Sequence, residues 1–182
     1  MYRAVTLAAR ERDLDLTSAD EVSNMVGEIH VELIGERVLL NGRDVTDAIR
    51  KFEITTATHY VADNPAVRAQ LVNWQRASAA GSDVVTEGRD QGTVVFPHAE
   101  CKIFLTADEE ERARRRYLDL LGRGEKVTFE EVLTNQRLRD HRDSIRSVGA
   151  LVKADDAIEF STDGLSPEEV VTKLEQIVRS RQ

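Results

Sequence analysis

Helix starts are written into this chain more plainly than any other feature, and they confine it to a fold in which helices alternate with short strands. Ser18-Ala19-Asp20-Glu21, Thr106-Ala107-Asp108-Glu109, Thr128-Phe129-Glu130-Glu131 and Ser166-Pro167-Glu168-Glu169 each set a hydroxyl three residues ahead of a carboxylate. That is the capping-box spacing, in which each side chain accepts a bond from the other's backbone N–H. Asn64-Pro65 adds a cap residue followed by proline at the first helical position. The spacing predicts helices near 2–12, 18–26, 46–60, 65–79, 108–122, 129–146 and 167–180.

Strands fall into two groups. Over 28–40, Ile29, Val31 and Leu33 alternate with polar residues, Gly35 marks a turn, and Val38 and Leu40 alternate again; Asn41-Gly42 follows as a tight-turn signal. This segment, about 28–45, reads as a small antiparallel insert with one wet face. The runs 83–86, 102–106 and 157–161 are short and apolar, and each leads toward a helix or loop. Buried parallel strands of an α/β sheet read this way. The first helix has no strand ahead of it, although an α/β domain normally opens with one.

Composition narrows the function. At 182 residues the chain suits one domain, and 41% apolar residues can fill its core. Charged residues make up 32% with both signs interspersed, unlike a disordered tail. No apolar run approaches the roughly 20 residues that span a bilayer, and the opening MYRAVTLAARERDLDL turns charged too soon for a signal peptide. A soluble, cytoplasmic protein is expected. The lone Cys101 excludes a disulfide framework and a cysteine zinc site. A net charge of −8 argues against a nucleic-acid scaffold. Yet 20 of the 25 basic residues are Arg, and nine of them lie between Arg112 and Arg146. Arg offers a planar donor fork that matches phosphate oxygens in pairs, so a small anionic ligand is one reading; a solvated helix face with i,i+4 pairs is the other.

Three segments can carry chemistry. The run 83–86 leads into Glu87-Gly88-Arg89-Asp90-Gln91-Gly92-Thr93, where a strand's carboxyl end would place Arg89 and Asp90 at a crevice rim and the glycines would allow close approach. A tight turn with an exposed Arg–Asp pair fits as well. On the helix near 129–146, the apolar stripe Phe129, Val132, Leu133 continues at spacings of three and four as Gln136, Arg139, Asp143 and Arg146. Charges that take over an inward stripe line a cleft, unless the helix merely emerges into water. Arg112, Arg115 and Arg116, ahead of Gly122-Arg123-Gly124-Glu125, suit a mobile lid over phosphates or a plain helical hairpin. His30, His59, His98 and His141 form no metal-ligand spacing, and no Gly-x-Ser-x-Gly elbow supports hydrolysis.

Met1-Tyr2-Arg3-Ala4, the insert at 28–45, Asp63-Asn64-Pro65-Ala66-Val67-Arg68, Glu87-Gly88-Arg89-Asp90-Gln91-Gly92-Thr93-Val94-Val95-Phe96-Pro97 and Arg139-Asp140-His141-Arg142-Asp143 together resemble the bacterial cytidylate (CMP) kinases over nearly the whole chain. The resemblance implies a phosphotransferase that moves the terminal phosphoryl group of ATP, with Mg²⁺, to CMP or dCMP. It implies a cytoplasmic monomer with no nucleic-acid or membrane partner. It matches Tyr2, Arg3, Arg89 and Arg146 to positions that hold the CMP phosphate, and Arg68 and Asp90 to positions that read the cytosine edge. Arg139 and Asp143 match positions around the ribose, with Arg139 also near the transferred phosphate; Arg139 and Arg146 are thereby the expected catalytic residues. Arg112, Arg115 and Arg116 fall in the lid. The implied layout is one kinase-like domain over 1–182, with acceptor-binding helices and insert at about 13–82 and the lid at about 112–128.

Two departures stand out. The family reads the base partly through a Ser hydroxyl, and by spacing from Pro65 that position is His59, which leaves the choice among CMP, dCMP and UMP open. The family's donor site is a Gly-x-x-x-x-Gly-Lys-[Ser/Thr] turn between the first strand and helix. None of Lys51, Lys102, Lys126, Lys153 and Lys173 follows a glycine. The expected fold class is therefore α/β: a P-loop-type parallel sheet core flanked by helices, missing its first strand and phosphate loop, with a small antiparallel β insert. A start assigned too late or a truncated chain would account for this. A shortened homologue, a non-catalytic nucleotide-binding remnant, is the rival expectation.

Overall fold

A computed structural model describes residues 1–181. The chain divides into two compact units, Met1–Val85 and Thr86–Gln182.

The first unit is built from α1 (Tyr2–Glu11), α2 (Ala19–Val26), β1 (Val31–Ile34), β2 (Arg37–Leu40), β3 (Arg43–Asp44), a 3₁₀ turn (Ala48–Arg50), α3 (Phe52–Ala62) and α4 (Pro65–Ala79). Six consecutive residues of α1, Ala4 to Ala9, are buried. A helix enclosed on all sides lies at the centre of a core, and its small alanines let α3 and β2 pack closely. Val22, Met25 and Val26 of α2, Ile29, Val31, Leu40, Val45, Ile54, Val61, Val67 and Leu71 complete the cluster.

The insert forms as the sequence predicts. β1 pairs antiparallel with β2 from Val31↔Leu40 to Ile34↔Arg37, and β2 with β3 at Leu40↔Arg43. Both hairpins close over two residues. Asn41 and Gly42 have φ of 50° and 79°, the mirror-image turn whose twist suits a right-twisted ribbon. Val31 and Leu40 are buried, while Leu33 on the same face and Ile34 on the other are exposed, so burial fades along the ribbon toward the Gly35 turn.

The helix expected over 46–60 is instead two pieces. Thr46 is held out of it: its N–H and hydroxyl both donate to Asp44 Oδ1, and its Oγ1 accepts from Val38 N–H. Lys51, at φ −57° and ψ 145°, then breaks the path between the 3₁₀ turn and α3. Asn64 caps α4 as predicted, accepting from Ala66 and Val67 N–H at 3.0 and 3.3 Å, while its amide donates to Ala19 O at 2.9 Å. One buried side chain thus joins the starts of α2 and α4. Asn64→Ala should lower stability by about 1.5–2 kcal/mol in urea denaturation; a change below about 0.5 kcal/mol, the range of an ordinary surface substitution, would show that the bridge contributes nothing.

The second unit carries a single-turn π-helix (Gln91–Val95), β4 (Ile103–Thr106), α5 (Glu109–Gly122), α6 (Phe129–Ile145), β5 (Ile158–Ser161) and α7 (Pro167–Arg179). β4 and β5 pair in parallel from Ile103↔Ile158 to Thr106↔Ser161. α5 and α6 form a hairpin around Ala113, Val132 and Leu133, with Tyr117 and Phe129 edge to face at 6.2 Å. The capping boxes at Thr128–Glu131 and Ser166–Glu169 are complete on both sides. Ser18 accepts from Glu21 N–H, while the Glu21 carboxylate accepts from Asp15 N–H instead.

The chain is α/β with a two-stranded parallel sheet among the described residues, and two expectations change. The box at Thr106 does not form, because Thr106 is the last paired residue of β4; Asp108 caps α5, accepting from Glu110 and Glu111 N–H. The run 83–86 is not a strand. A strand exists only where its backbone groups are paired, and no ladder is formed there among the described residues; Val85 is 100% exposed. No helix among the described residues is long and apolar enough to cross a membrane.

Candidate active site

The charged end of α6 turns inward at Asp143 and Arg146, while Arg139 on the same stripe stays exposed. Asp143 is its focus. Its Oδ1 accepts from Arg146 Nη2 at 2.8 Å, and both side chains are only 8% exposed. Its Oδ2 lies 3.0 Å from Arg89 Nε and 3.7 Å from Arg139 Nε. These two contacts are ionic: Oδ2 is buried without the aligned geometry of a hydrogen bond. Three guanidiniums from the loop after residue 86 and from the last turns of α6 therefore converge on one carboxylate. Arg139 is the most exposed of the three, with 64% of its side chain in water. Asp143 O also accepts from Leu151 N–H at 2.8 Å, which ties the chain after α6 back onto the cluster.

The loop that presents Arg89 is shaped by its neighbours. Asp90 is buried, and its carbonyl accepts from Val94 and Val95 N–H, closing the π turn Gln91–Val95. Thr86 donates its hydroxyl to Gln91 Oε1 at 2.8 Å. The Gln91 side chain then covers Gly88 so closely that a Cβ there would sit 2.7 Å from Nε2. At Gly92 a Cβ would lie 3.3 Å from the stem of Lys102. Lys102 in turn donates to Pro97 O and pairs with Asp156 at 2.7 Å, and that bond holds the Asp156 carboxyl below the ordinary carboxylate range. Lys102 is thus a clamp under the Arg89 loop that inspection of motifs did not single out. Its signal was faint: one lysine at the start of a strand.

The three arginines expected in a lid are held in different ways. Arg112 donates through Nη1 to Asp140 Oδ2 at 2.6 Å and through Nε to Ala107 O at 3.1 Å. Arg115 donates to Thr162 Oγ1 and Thr162 O at 2.9 and 2.8 Å, fastening α5 to the end of β5. Arg116 pairs with Asp119 at 2.7 Å, one turn along its own helix. Where α5 begins, Asp163 accepts from Asp108 N–H at 2.8 Å and from the Ser161 hydroxyl, and these bonds hold its carboxyl below the usual range. Asp140 is a further acidic residue of α6. It lies one turn before Asp143, and its Oδ1 is 3.7 Å from Arg89 Nη2.

In the first unit, Tyr2 and Arg68 are brought together. Arg68 is buried, donates to Ala62 O at 3.0 Å and sets its guanidinium 5.4 Å from the Tyr2 ring centre. Arg3 follows Tyr2 on α1 and is half-buried. His59 is half-buried, stacked on Tyr60 with ring centres 4.0 Å apart. Its Nδ1 is 2.8 Å from Thr56 O; a carbonyl only accepts, so Nδ1 is the donor there and Nε2 remains for another partner. No group of three or more His, Cys, Asp or Glu among the described residues could hold a metal ion.

The cytidylate kinase family model matches residues 1–180. A cytidylate kinase of Rhodopirellula baltica is 42% identical over 179 residues, covering 98% of this chain and 78% of that protein. One of Carboxydothermus hydrogenoformans is 44% identical over 182 residues, covering 98% of this chain and 82% of its own length. One of Bacillus subtilis is 40% identical over 185 residues, covering 100% and 83%.

Proposed function

Because the chain belongs to the cytidylate kinase family, it transfers the terminal phosphoryl group of ATP to CMP or dCMP, and we propose that the arginines gathered on Asp143 receive the acceptor's phosphate. The observation that carries this reading is the convergence of Arg89, Arg139 and Arg146 on one nearly sealed carboxylate. With Arg112 and Asp140 included, four guanidiniums face two carboxylates. The excess of two positive charges matches a nucleoside monophosphate, whose phosphate carries about −1.5 to −2 at neutral pH.

Phosphoryl transfer asks little covalent chemistry of a protein. An oxygen of the CMP phosphate attacks the terminal phosphorus of ATP, the bond from that phosphorus to the bridging oxygen breaks, and ADP leaves with the electron pair. The obstacle is repulsion between two anions that must meet in line, so catalysis is positioning plus fixed positive charge. Arg supplies that charge with no pKa liability. Arg146, locked by Asp143, is pre-oriented; Arg139, with 64% of its side chain exposed, presents its charge where the transferred group would arrive. Those two are the proposed catalytic residues. Arg89 anchors the acceptor phosphate, with Tyr2 and Arg3 assisting, while Asp143 borders the ribose.

Arg68 and Asp90 are proposed to read the cytosine edge; both are buried polar side chains, as hydrogen-bond readout of a base requires. In the lid, proposed over about 112–128, Arg115 acts as the anchor and Arg112 ties the lid helix to Asp140. Arg116 is the one able to turn to phosphate, since an exposed pair such as Arg116–Asp119 is worth only about 0–1 kcal/mol. The helices and insert at about 13–82 serve the acceptor. Mg²⁺ enters as part of the MgATP donor, chelated by its phosphates. We further propose that residues 1–182 do not themselves build the donor's phosphate cradle or the first strand beside it, since no Lys follows a Gly in this sequence. ATP and CMP are cytoplasmic pools, and the proposal is of a cytoplasmic monomer.

Titration calorimetry with CMP tests the acceptor site. Arg89→Ala should weaken CMP binding by about 1.5–3 kcal/mol, the range for a bond to a charged group. An Arg89→Ala protein that binds CMP as the parent does would remove the site from this cluster.

A further inference from the structure

We propose that Asp140 is a positioning residue for this reaction: its carboxylate holds lid Arg112 and acceptor Arg89 on one group and competes with nucleotide phosphate for them. This rests on the reading of Arg89 as the acceptor-phosphate anchor. The geometry sets Asp140 apart from Asp143, its neighbour one turn away. Asp143 is sealed, bonded to Arg146 at 2.8 Å, and only 3.0 Å from Arg89. Asp140 is 25% exposed, donated to by Arg112 at 2.6 Å, and 3.7 Å from Arg89. Asp143 therefore orients Arg89, and Asp140 holds it only weakly.

A weak hold is easily exchanged. A phosphate oxygen arriving at Arg89 carries more charge than one carboxylate oxygen and takes Nη2 from Asp140 at small cost, because the 3.7 Å contact is too long for a hydrogen bond. The Asp140 charge is then left to Arg112 alone, and α5 is drawn more firmly to α6. Binding of the acceptor is in this way communicated to the lid helix through one side chain. The hairpin does not depend on Asp140 for its fold. Gln136 Nε2 donates to Glu109 O at 3.0 Å, Arg137 pairs with Glu109 at 2.9 Å, and the Ala113–Val132–Leu133 core lies beneath.

The test is Asp140→Asn, which keeps shape and removes charge, with Asp140→Glu as the rescue. CMP affinity is read by calorimetry, and amide hydrogen exchange across α5 is followed with and without CMP. Loss of a competing charge should tighten CMP binding about three- to tenfold. It should also abolish the slowing of exchange that CMP produces in α5 of the parent, and Asp140→Glu should restore that slowing. A merely structural Asp140 would instead weaken CMP binding and quicken α5 exchange in the absence of nucleotide. Weaker CMP binding in Asp140→Asn, or undiminished protection of α5, would overturn the proposal. So would a parent whose α5 exchange ignores CMP. Arg89→Ala, run alongside, tells the two readings apart. Its failure to weaken CMP binding removes the acceptor site itself, whereas its success together with an inert Asp140→Asn removes only the role of Asp140.

Discussion

Asp143→Ala should destabilise the Thr86–Gln182 unit by about 3–5 kcal/mol, the range seen when one member of a buried ion pair is deleted. Arg146 keeps only 8% of its side chain exposed and would lose this carboxylate while remaining beside Arg89 and Arg139. Three guanidiniums that now share one anion would be left to repel one another. Against a net stability of about 5–15 kcal/mol for a domain, this is the most damaging single substitution expected in the cluster. Urea denaturation with and without CMP measures it. CMP should recover part of the loss, because its phosphate brings negative charge to the same three arginines, and should stabilise the variant more than the parent. A loss under about 1 kcal/mol, within the range of a surface pair, would mean that Asp143 is not what holds the arginines together.

The polypeptide of residues 1–182 should turn CMP over at least about 10³-fold more slowly than the same chain joined to a Gly-x-x-x-x-Gly-Lys-[Ser/Thr] loop segment. A single positive group brought to the transferred phosphoryl, an arginine finger, is worth about 10³–10⁵ in phosphoryl transfer, and a missing donor cradle should cost at least the lower figure. The site's acceptor half is the one proposed for the Asp143 cluster, while none of the five lysines stands in such a loop. CMP binding should survive in the shorter polypeptide. A coupled assay for ADP formation, alongside CMP calorimetry on both proteins, separates the two abilities. Equal turnover by the two would show that residues 1–182 hold the donor's phosphates by some other arrangement, and the assignment of Arg116 as a lid contact would be the first to revise.

What the chain carries in local order was legible before any coordinates. The caps at Asn64, Thr128 and Ser166, the Asn41-Gly42 hairpin and the inward stripe of α6 all depend on residues within four of one another. Helical spacing alone puts Arg139, Asp143 and Arg146 on one face. The misreadings are of groups whose state is set at a distance. Thr106 could not cap α5 because β5 claims it as a paired strand residue. The helix over 46–60 starts late because Thr46 is bonded to Val38 across the insert, and it breaks at Lys51. The run 83–86 has the composition of a strand, but a strand is made by its neighbours, and none pairs with it among the described residues. The site divides in the same way. The types and spacing of the arginines raise an anion site as one reading beside a solvated helix face. Tertiary structure alone decides which of them share a carboxylate, because Asp140 meets Arg112 from 28 residues away, and only folding brings such groups close enough for their charges to be felt above the screening of water.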